Sequence, residues 1–236
     1  MKRIIALILM ITMVLTLVAC GKDDDKPNNN DTPGGNSVTE STDNKNDTPA
    51  ASLSIDTVKK AKETDASLFE YTDVDGGISI TGFNGSDEIV VIPTAIDNKE
   101  VVSIGKNAFI NNSTMKGVMI PEKAHTLENS AFMNCTELEV VVSGAAVKKI
   151  DMYVFNGCKK LHAIELNDGL VTLGGLCFAL TNLSEIEIPS SVTEINYPFT
   201  VNDDKHFITV IAESGSSAEQ YVNEKGEEYH LIFQAK

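Results

Sequence analysis

MKGVMIPEKAHTL at residues 115–127, LEVVVSGAAVKKI at 138–150, LHAIELNDGLVTL at 161–173 and LSEIEIPSSVTEI at 183–195 are versions of one pattern. Apolar residues recur at places one, four, ten and thirteen of each segment. In the first they are Met115, Val118, Ala124 and Leu127; in the second, Leu138, Val141, Val147 and Ile150. Places six and seven read Ile120-Pro121, Ser143-Gly144, Leu166-Asn167 and Ile188-Pro189. A Phe lies five residues beyond the last aliphatic of successive units: Phe109, Phe132, Phe155 and Phe178. Asn112, Cys135 and Cys158 follow three residues after a Phe.

A fixed period of about 23 residues means a solenoid, because one such unit cannot bury its apolar face and stacking makes a continuous core. The apolar pattern reads as a short strand with places one, four and six inward and two, three and five outward, alternating from place three to place six. Pro or Gly at place seven ends the strand, since Pro removes a ladder donor. The Phe turns the chain back beneath the strand and fills the gap between rungs. An earlier rung runs from Val90-Val91-Ile92-Pro93 through Val101 and Ile104 to Phe109, with an insertion near Asp97-Asn98-Lys99. The last rung decays, with Phe199 one place early.

In-phase Ile-Pro, Ala-Phe and Cys-x-x-Leu elements make residues 68–233 resemble the BspA-like leucine-rich repeat family. The resemblance implies an α/β-type repeat solenoid with short parallel strands, about five rungs of about 23 residues, and a cap at each end. Ser143, Gly144, Asn167 and a short fourth rung depart from the pattern. Gly82-Phe83-Asn84-Gly85 looks like the family's entry hairpin. At the other end, Val210-Ile211, then residues 215–221, then Gly226 and Tyr229 read as strand, short helix and closing strand. Ser216 or Ser217 is the expected N-cap and Gly226 the helix stop.

The chain opens Met1-Lys2-Arg3 and continues uncharged and apolar from Ile4 to Ala19. That order is a cleaved secretory signal, and the run falls short of the roughly 20 residues of a membrane span. Leu17-Val18-Ala19-Cys20 resembles a bacterial lipobox, which implies a diacylglyceryl group on Cys20. Two acyl chains anchor stably because each buried CH₂ contributes about 0.8 kcal/mol. Residues 21–51 are almost wholly polar, with Val38, Ala50 and Ala51 the apolar exceptions, so no face there can make a core. The expected organisation is signal peptide 1–19, lipidated Cys and disordered tether 20–55, lead-in and cap 56–88, repeats 89–200 and C-terminal cap 201–236. The expected location is the bacterial cell surface, lipid-anchored to the membrane after export.

Formal net charge is −15, and losing Lys2 and Arg3 with the signal leaves about −17. Nucleic acid is excluded as an expected partner, since its binding rests on Lys and Arg neutralising phosphates. Four histidines, His125, His162, His206 and His230, fall on different rungs without metal-ligand spacing. Asp73-Val74-Asp75-Gly76 lacks the remainder of a calcium loop and reads as a hairpin turn. Ser214-Gly215-Ser216 is not a nucleophile elbow. Cys135 and Cys158 stack on adjacent rungs; a disulfide is thinkable in an exported protein, but a free, buried pair at an inward place is the preferred reading. Cys177, beside Phe178, is expected to be buried too. The chain is read as a non-enzyme, with no cofactor, metal or catalytic group expected.

Outward places leave a candidate ligand face. Ile89, Val91, Met119, Val140 and Val142 make its apolar half, and Glu165, Glu185 and Glu187 its acidic half. Contiguous exposed apolar residues mark interfaces; the alternatives are that β-branched residues simply suit strands, or that a hairpin or second copy covers them. Members of the resembled family are generally surface proteins, and several are regarded as adhesins. The implied function is therefore a non-enzymatic surface module recognising an extracellular protein or glycan, with the membrane reached through the lipid alone. The alternative is a structural envelope component that self-associates or packs on wall polymer.

Overall fold

A rung of this length can bury its apolar places only against the next rung, and the fold follows from that constraint. The protein is described by a computed structural model that covers residues 52–200 and 206–236. The expected signal peptide, Cys20 and residues 20–51 of the tether lie outside the described residues.

Entry is through a one-turn helix, α1 (Ile55–Lys59), and an antiparallel hairpin, β1 (Phe69–Val74) and β2 (Gly77–Phe83). Gly76, at φ 85°, makes the turn between them, the geometry that an Asp-Gly pair favours. Gly82 and Phe83 of the expected entry hairpin end its second strand, paired with Glu70 and Phe69, while its turn is Asp75-Gly76; Asn84 and Gly85 lead into the first rung.

That rung holds β3 (Ile89–Val91), then β4 (Ala95–Ile96) and β5 (Lys99–Ile104). The insertion near Asp97 is a tight hairpin, with Asp97 and Asn98 both at positive φ. Each later rung supplies a three-residue strand and a two-residue one. These are β6 (Gly117–Met119) and β7 (Thr126–Leu127), β8 (Val140–Val142) and β9 (Lys149–Ile150), β10 (Ala163–Glu165) and β11 (Thr172–Leu173), then β12 (Glu185–Glu187) and β13 (Glu194–Ile195). The chain closes with β14 (Ile208–Ala212), α2 (Ser217–Tyr229) and β15 (Leu231–Ala235).

Two parallel ladders result. One runs β3-β6-β8-β10; the other runs β2-β5-β7-β9-β11-β13, with β1 antiparallel at its edge. The two-residue strands, at places twelve and thirteen, have no separate signature in the sequence. A third, parallel sheet orders β12-β14-β15. The first ladder thus stops at β10: β12 comes next in the series but pairs with β14 instead. The interval from Leu161 to Leu183 is one residue shorter than those before it, and the interruption falls there.

The inward places are the core. Met115, Val118, Ala124, Leu127, Leu138, Val141, Val147, Ile150, Leu161, Leu170, Leu173, Leu183, Ile186 and Val192 are buried. Through the middle runs a column of phenylalanines. Centroids of Phe109 and Phe132 lie 4.8 Å apart, Phe132 and Phe155 5.4 Å, and Phe155 and Phe178 5.9 Å. Phe199, though early in sequence, still stacks 5.9 Å from Phe178. Cys135, Cys158 and Cys177 are free and buried. The Cys135 thiol donates to the Phe109 carbonyl at 3.1 Å and that of Cys158 to Phe132 at 3.2 Å, one rung back in each case.

The departures from the repeat have local explanations. Asn167, where other rungs place Pro or Gly, donates through Nδ2 to the carbonyls of Ala145 and Val147 at 3.0 Å. Its Oδ1 accepts from Ser143 Oγ at 3.0 Å. At the C-terminus Ser216 is the N-cap of α2, accepting from Glu219 N. Gly226 does not stop the helix. α2 runs on to Tyr229 and ends on His230 in the left-handed region. Gly226 is instead where the helix crosses the start of β15, since a Cβ there would stand 3.0 Å from the Leu231 carbonyl oxygen.

Candidate functional site

The parallel register fixes the candidate face. Ile89, Gly117, Val140 and Ala163 align across the ladder, as do Val91, Met119, Val142 and Glu165. Six of the eight candidate residues thus occupy outward places of one ladder, while Glu185 and Glu187 lie on β12 of the neighbouring sheet, and the two halves of the face differ in exposure.

The apolar half is not open. Val140 and Val142 are buried, under α1. Val58 of that helix is fully buried and forms with Val140 and Val142 a second hydrophobic cluster, into which Leu53, Ile55, Ile89, Met119 and Ala163 pack. The expectation of an exposed apolar patch is corrected here: outward-pointing side chains are buried wherever another segment crosses them, and the segment is α1 rather than the entry hairpin.

Gly117 gives the helix its seat. Neighbouring rungs carry Ile89 and Val140 at this place, whereas a Cβ on Gly117 would stand 2.7 Å from Val58 Cγ2 and 2.8 Å from Leu53 Cδ2. Polar contacts hold the margins. The Leu53 amide donates to Glu139 Oε2 at 3.2 Å, and Lys59 Nζ lies 2.6 Å from Glu165 Oε2. Thr64 ties the following segment to the ladder edge, its amide donating to the Val91 carbonyl and its hydroxyl accepting from the Val91 amide, both at 3.0 Å.

Five residues are far fewer than the roughly 12–15 an isolated helix needs, so α1 exists because the face holds it. One fully buried Val and two half-buried aliphatics contribute on the order of 5 kcal/mol. Fixing the five helical residues opposes this with about 1 kcal/mol each. The two terms are of similar size, so packing against the sheet is what keeps α1 folded.

The acidic half is open. Glu185 and Glu187 are exposed and Glu165 is half-buried. Where the ladder is interrupted, a hollow of about 410 Å³ is lined by Ile55, His162, Ala163, Ile164, Glu165, Leu166, Glu185, Ile186, Glu187 and Ile211. Ile164, an inward residue buried at this place in other rungs, is half-exposed here. A second hollow of about 450 Å³ reaches from Lys59, Met119 and Val142 to Asn167 and Asp168. Lys236 pairs with Glu187 at the rim. Among the described residues no cluster of three or more His, Cys, Asp or Glu is placed to hold a metal. Burial pushes the thiols of Cys158 and Cys177 above their ordinary range, the opposite of an activated nucleophile.

The comparisons place this geometry. Residues 86–202 match the model of the BspA type leucine rich repeat region, in six copies. A leucine-rich repeat protein of T. pallidum is 26% identical, with a TM-score of 0.57 over 64% of this chain and 71% of that one. One from Bacteroides ovatus is 24% identical, with a TM-score of 0.49 over 61% of this chain and 45% of that one. No curated protein matches the chain. The strands from β3 to β13 and the phenylalanine column from Phe109 to Phe199 fall within the matched residues, and this repeat region of the chain belongs to the BspA-type leucine-rich repeat family.

Proposed function

We propose that this protein is a lipid-anchored module of the bacterial cell surface that binds an extracellular protein or glycan, without catalysis, through the outward face of its repeat sheet. The observation that carries the reading is the open acidic half of that face. There Glu185 and Glu187 stand exposed beside a hollow of about 410 Å³, on β12, which pairs in parallel with β14. Carboxylates around such a hollow suit hydroxyl or amine donors on the ligand, and a fixed scaffold lowers the ordering cost of binding. The basic start, apolar run and Cys20 support export and anchoring.

The test is a binding screen of the purified chain against matrix proteins, mucins and a glycan array, beside the Glu185→Lys/Glu187→Lys variant. Both side chains are exposed, so the fold should survive. A saturable ligand lost by at least tenfold in the variant supports the reading. No ligand, together with concentration-dependent self-association, replaces it with a structural envelope role. Anchoring is tested separately: Cys20→Ala should move the protein from the membrane fraction to the medium, and retention in the membrane would overturn the lipid anchor.

A further inference from the structure

The second ladder carries, just past β9, β11 and β13, a slot that packing does not require. One column there holds Asn129, Met152, Gly175 and Tyr197, each accepting through its carbonyl a backbone hydrogen bond from the rung before. Met152 and Tyr197 are exposed, and with Gly175 they line a hollow of about 520 Å³, a size within the roughly 300–1,000 Å³ of small-ligand sites. The fold does not demand glycine at this place. A Cβ on Gly175 would meet the Asn196 carbonyl oxygen at 3.4 Å and Met152 at 3.8 Å, ordinary contacts, and its φ lies outside the left-handed region. Tyr197 is held as a wall. Its φ is 52°, and at the same distance before the column phenylalanine earlier rungs place Asn107 and Ser130, small polar residues that suit this backbone better than a bulky one. Tyr229 meets its ring edge-on at 6.5 Å, and Lys225 Nζ lies 5.4 Å from its centroid. The rim is polar. Lys149 Nζ lies 3.0 Å from Asp151 Oδ1, and the Thr172 hydroxyl donates to Glu194 Oε2 at 2.9 Å, so each carboxylate keeps an oxygen able to accept.

We infer that this slot binds one pyranose ring of a glycan. The apolar C–H face of the sugar lies against Tyr197 and Met152, and its edge hydroxyls donate to Asp151 and Glu194 and accept from Lys149. A pyranose combines an apolar face with hydroxyls around its edge, which is the pattern of these walls and this rim. Hydrogen bonds to charged groups are the strong ones, and they fix the orientation that an apolar wall alone leaves open. An aromatic side chain would fit the walls but leave the rim unused. Gly175 then has a role: it keeps open a place that Met152 fills one rung earlier. The slot lies on the second ladder, apart from Glu185 and Glu187, so it stands independently of the ligand proposed for the acidic half.

The test titrates the full chain, isotope-labelled for amide NMR, with the methyl glycosides of glucose, galactose, mannose and N-acetylglucosamine at millimolar concentration. At least one should shift the amides of Gly175 and Tyr197 saturably. Gly175→Leu fills the slot and Tyr197→Asn removes a wall while keeping a residue that the backbone accepts, so each should weaken that glycoside at least tenfold in a folded protein. The Glu185→Lys/Glu187→Lys variant should bind it as the unaltered chain does. The proposal is overturned if none of the four glycosides moves these amides, or if the affinity is unchanged in either folded slot variant. Uptake of p-cresol, the tyrosine side-chain analogue, with no glycoside bound would reassign the slot to an aromatic side chain and overturn it as well. Should Gly175→Leu fail to fold, Tyr197→Asn decides alone. Failure here leaves the ligand screen of the acidic half standing, because the two sites share no residue.

Discussion

Gly117 and Val58 are matched across the outward face: a Cβ on the first would lie 2.7 Å from Cγ2 of the second. The nearest atoms it would meet belong to Val58 and Leu53, in and beside α1, and not to rung backbone. Gly117→Ala should thus loosen α1 while shifting global stability by only about 0.5 kcal/mol. At Gly144 a Cβ would stand 2.0 Å from the Pro121 carbonyl oxygen, which is rung backbone. Gly144→Ala should cost about 1–3 kcal/mol. Urea titration of both variants checks the contrast, and equal losses would mean that α1 is part of the cooperative core.

The phenylalanine column links every rung to the next. Phe155 lies 5.4 Å from Phe132 and 5.9 Å from Phe178 and is fully buried. Phe155→Ala should cost about 3–5 kcal/mol, with Phe155→Leu well below that. Equilibrium unfolding should show one shared transition for both, shifted by different amounts.

Asn167 does for its rung what Pro or Gly does elsewhere, with hydrogen bonds in place of a backbone preference. Asn167→Ala strips donors from the Ala145 and Val147 carbonyls and should cost about 1–2 kcal/mol. Asn167→Asp should cost at least as much, because a carboxylate then faces both carbonyls. Thermal melts of the two variants test the ranking; a neutral Asp substitution would refute the assignment of Nδ2 as the working atom.

Burial raises the thiol pKa of Cys158 and Cys177 above the ordinary 9.0 and the Tyr221 hydroxyl above 10.0. A folded-state pKa above the unfolded one favours the protonated, folded form. This contribution is complete below about pH 9 and is lost as pH rises past it. The melting midpoint should therefore hold level from about pH 7 to 8.5 and fall above 9, and Cys177→Ala should lessen the fall. Below pH 9 the three buried thiols should resist a thiol reagent until the protein is unfolded; rapid labelling of the native chain would contradict their burial.

The repeat was legible because its information is local and periodic. Val141, Leu138 and Phe155 each announce their burial by recurring in phase, Ser216 caps its helix from within one turn, and Asp75-Gly76 specifies its own hairpin. Alternation also put Val140, Val142 and Glu187 correctly on the outward side of their strands. Whether that side is wet was decided elsewhere. Val58 covers Val140 only after the chain has wound from Thr64 through successive rungs, and its helix is too short to leave a signal among polar residues. Gly226 reads as a stop because glycine is a poor helix former; it is tolerated inside α2 because Leu231 presses against it. The interruption beside β10 likewise depends on how one missing residue is absorbed between rungs. Sequence by itself determined which residues face in, since periodicity follows from covalent geometry. Tertiary structure alone decided which outward residues remain exposed, since that depends on contacts between segments far apart in the chain.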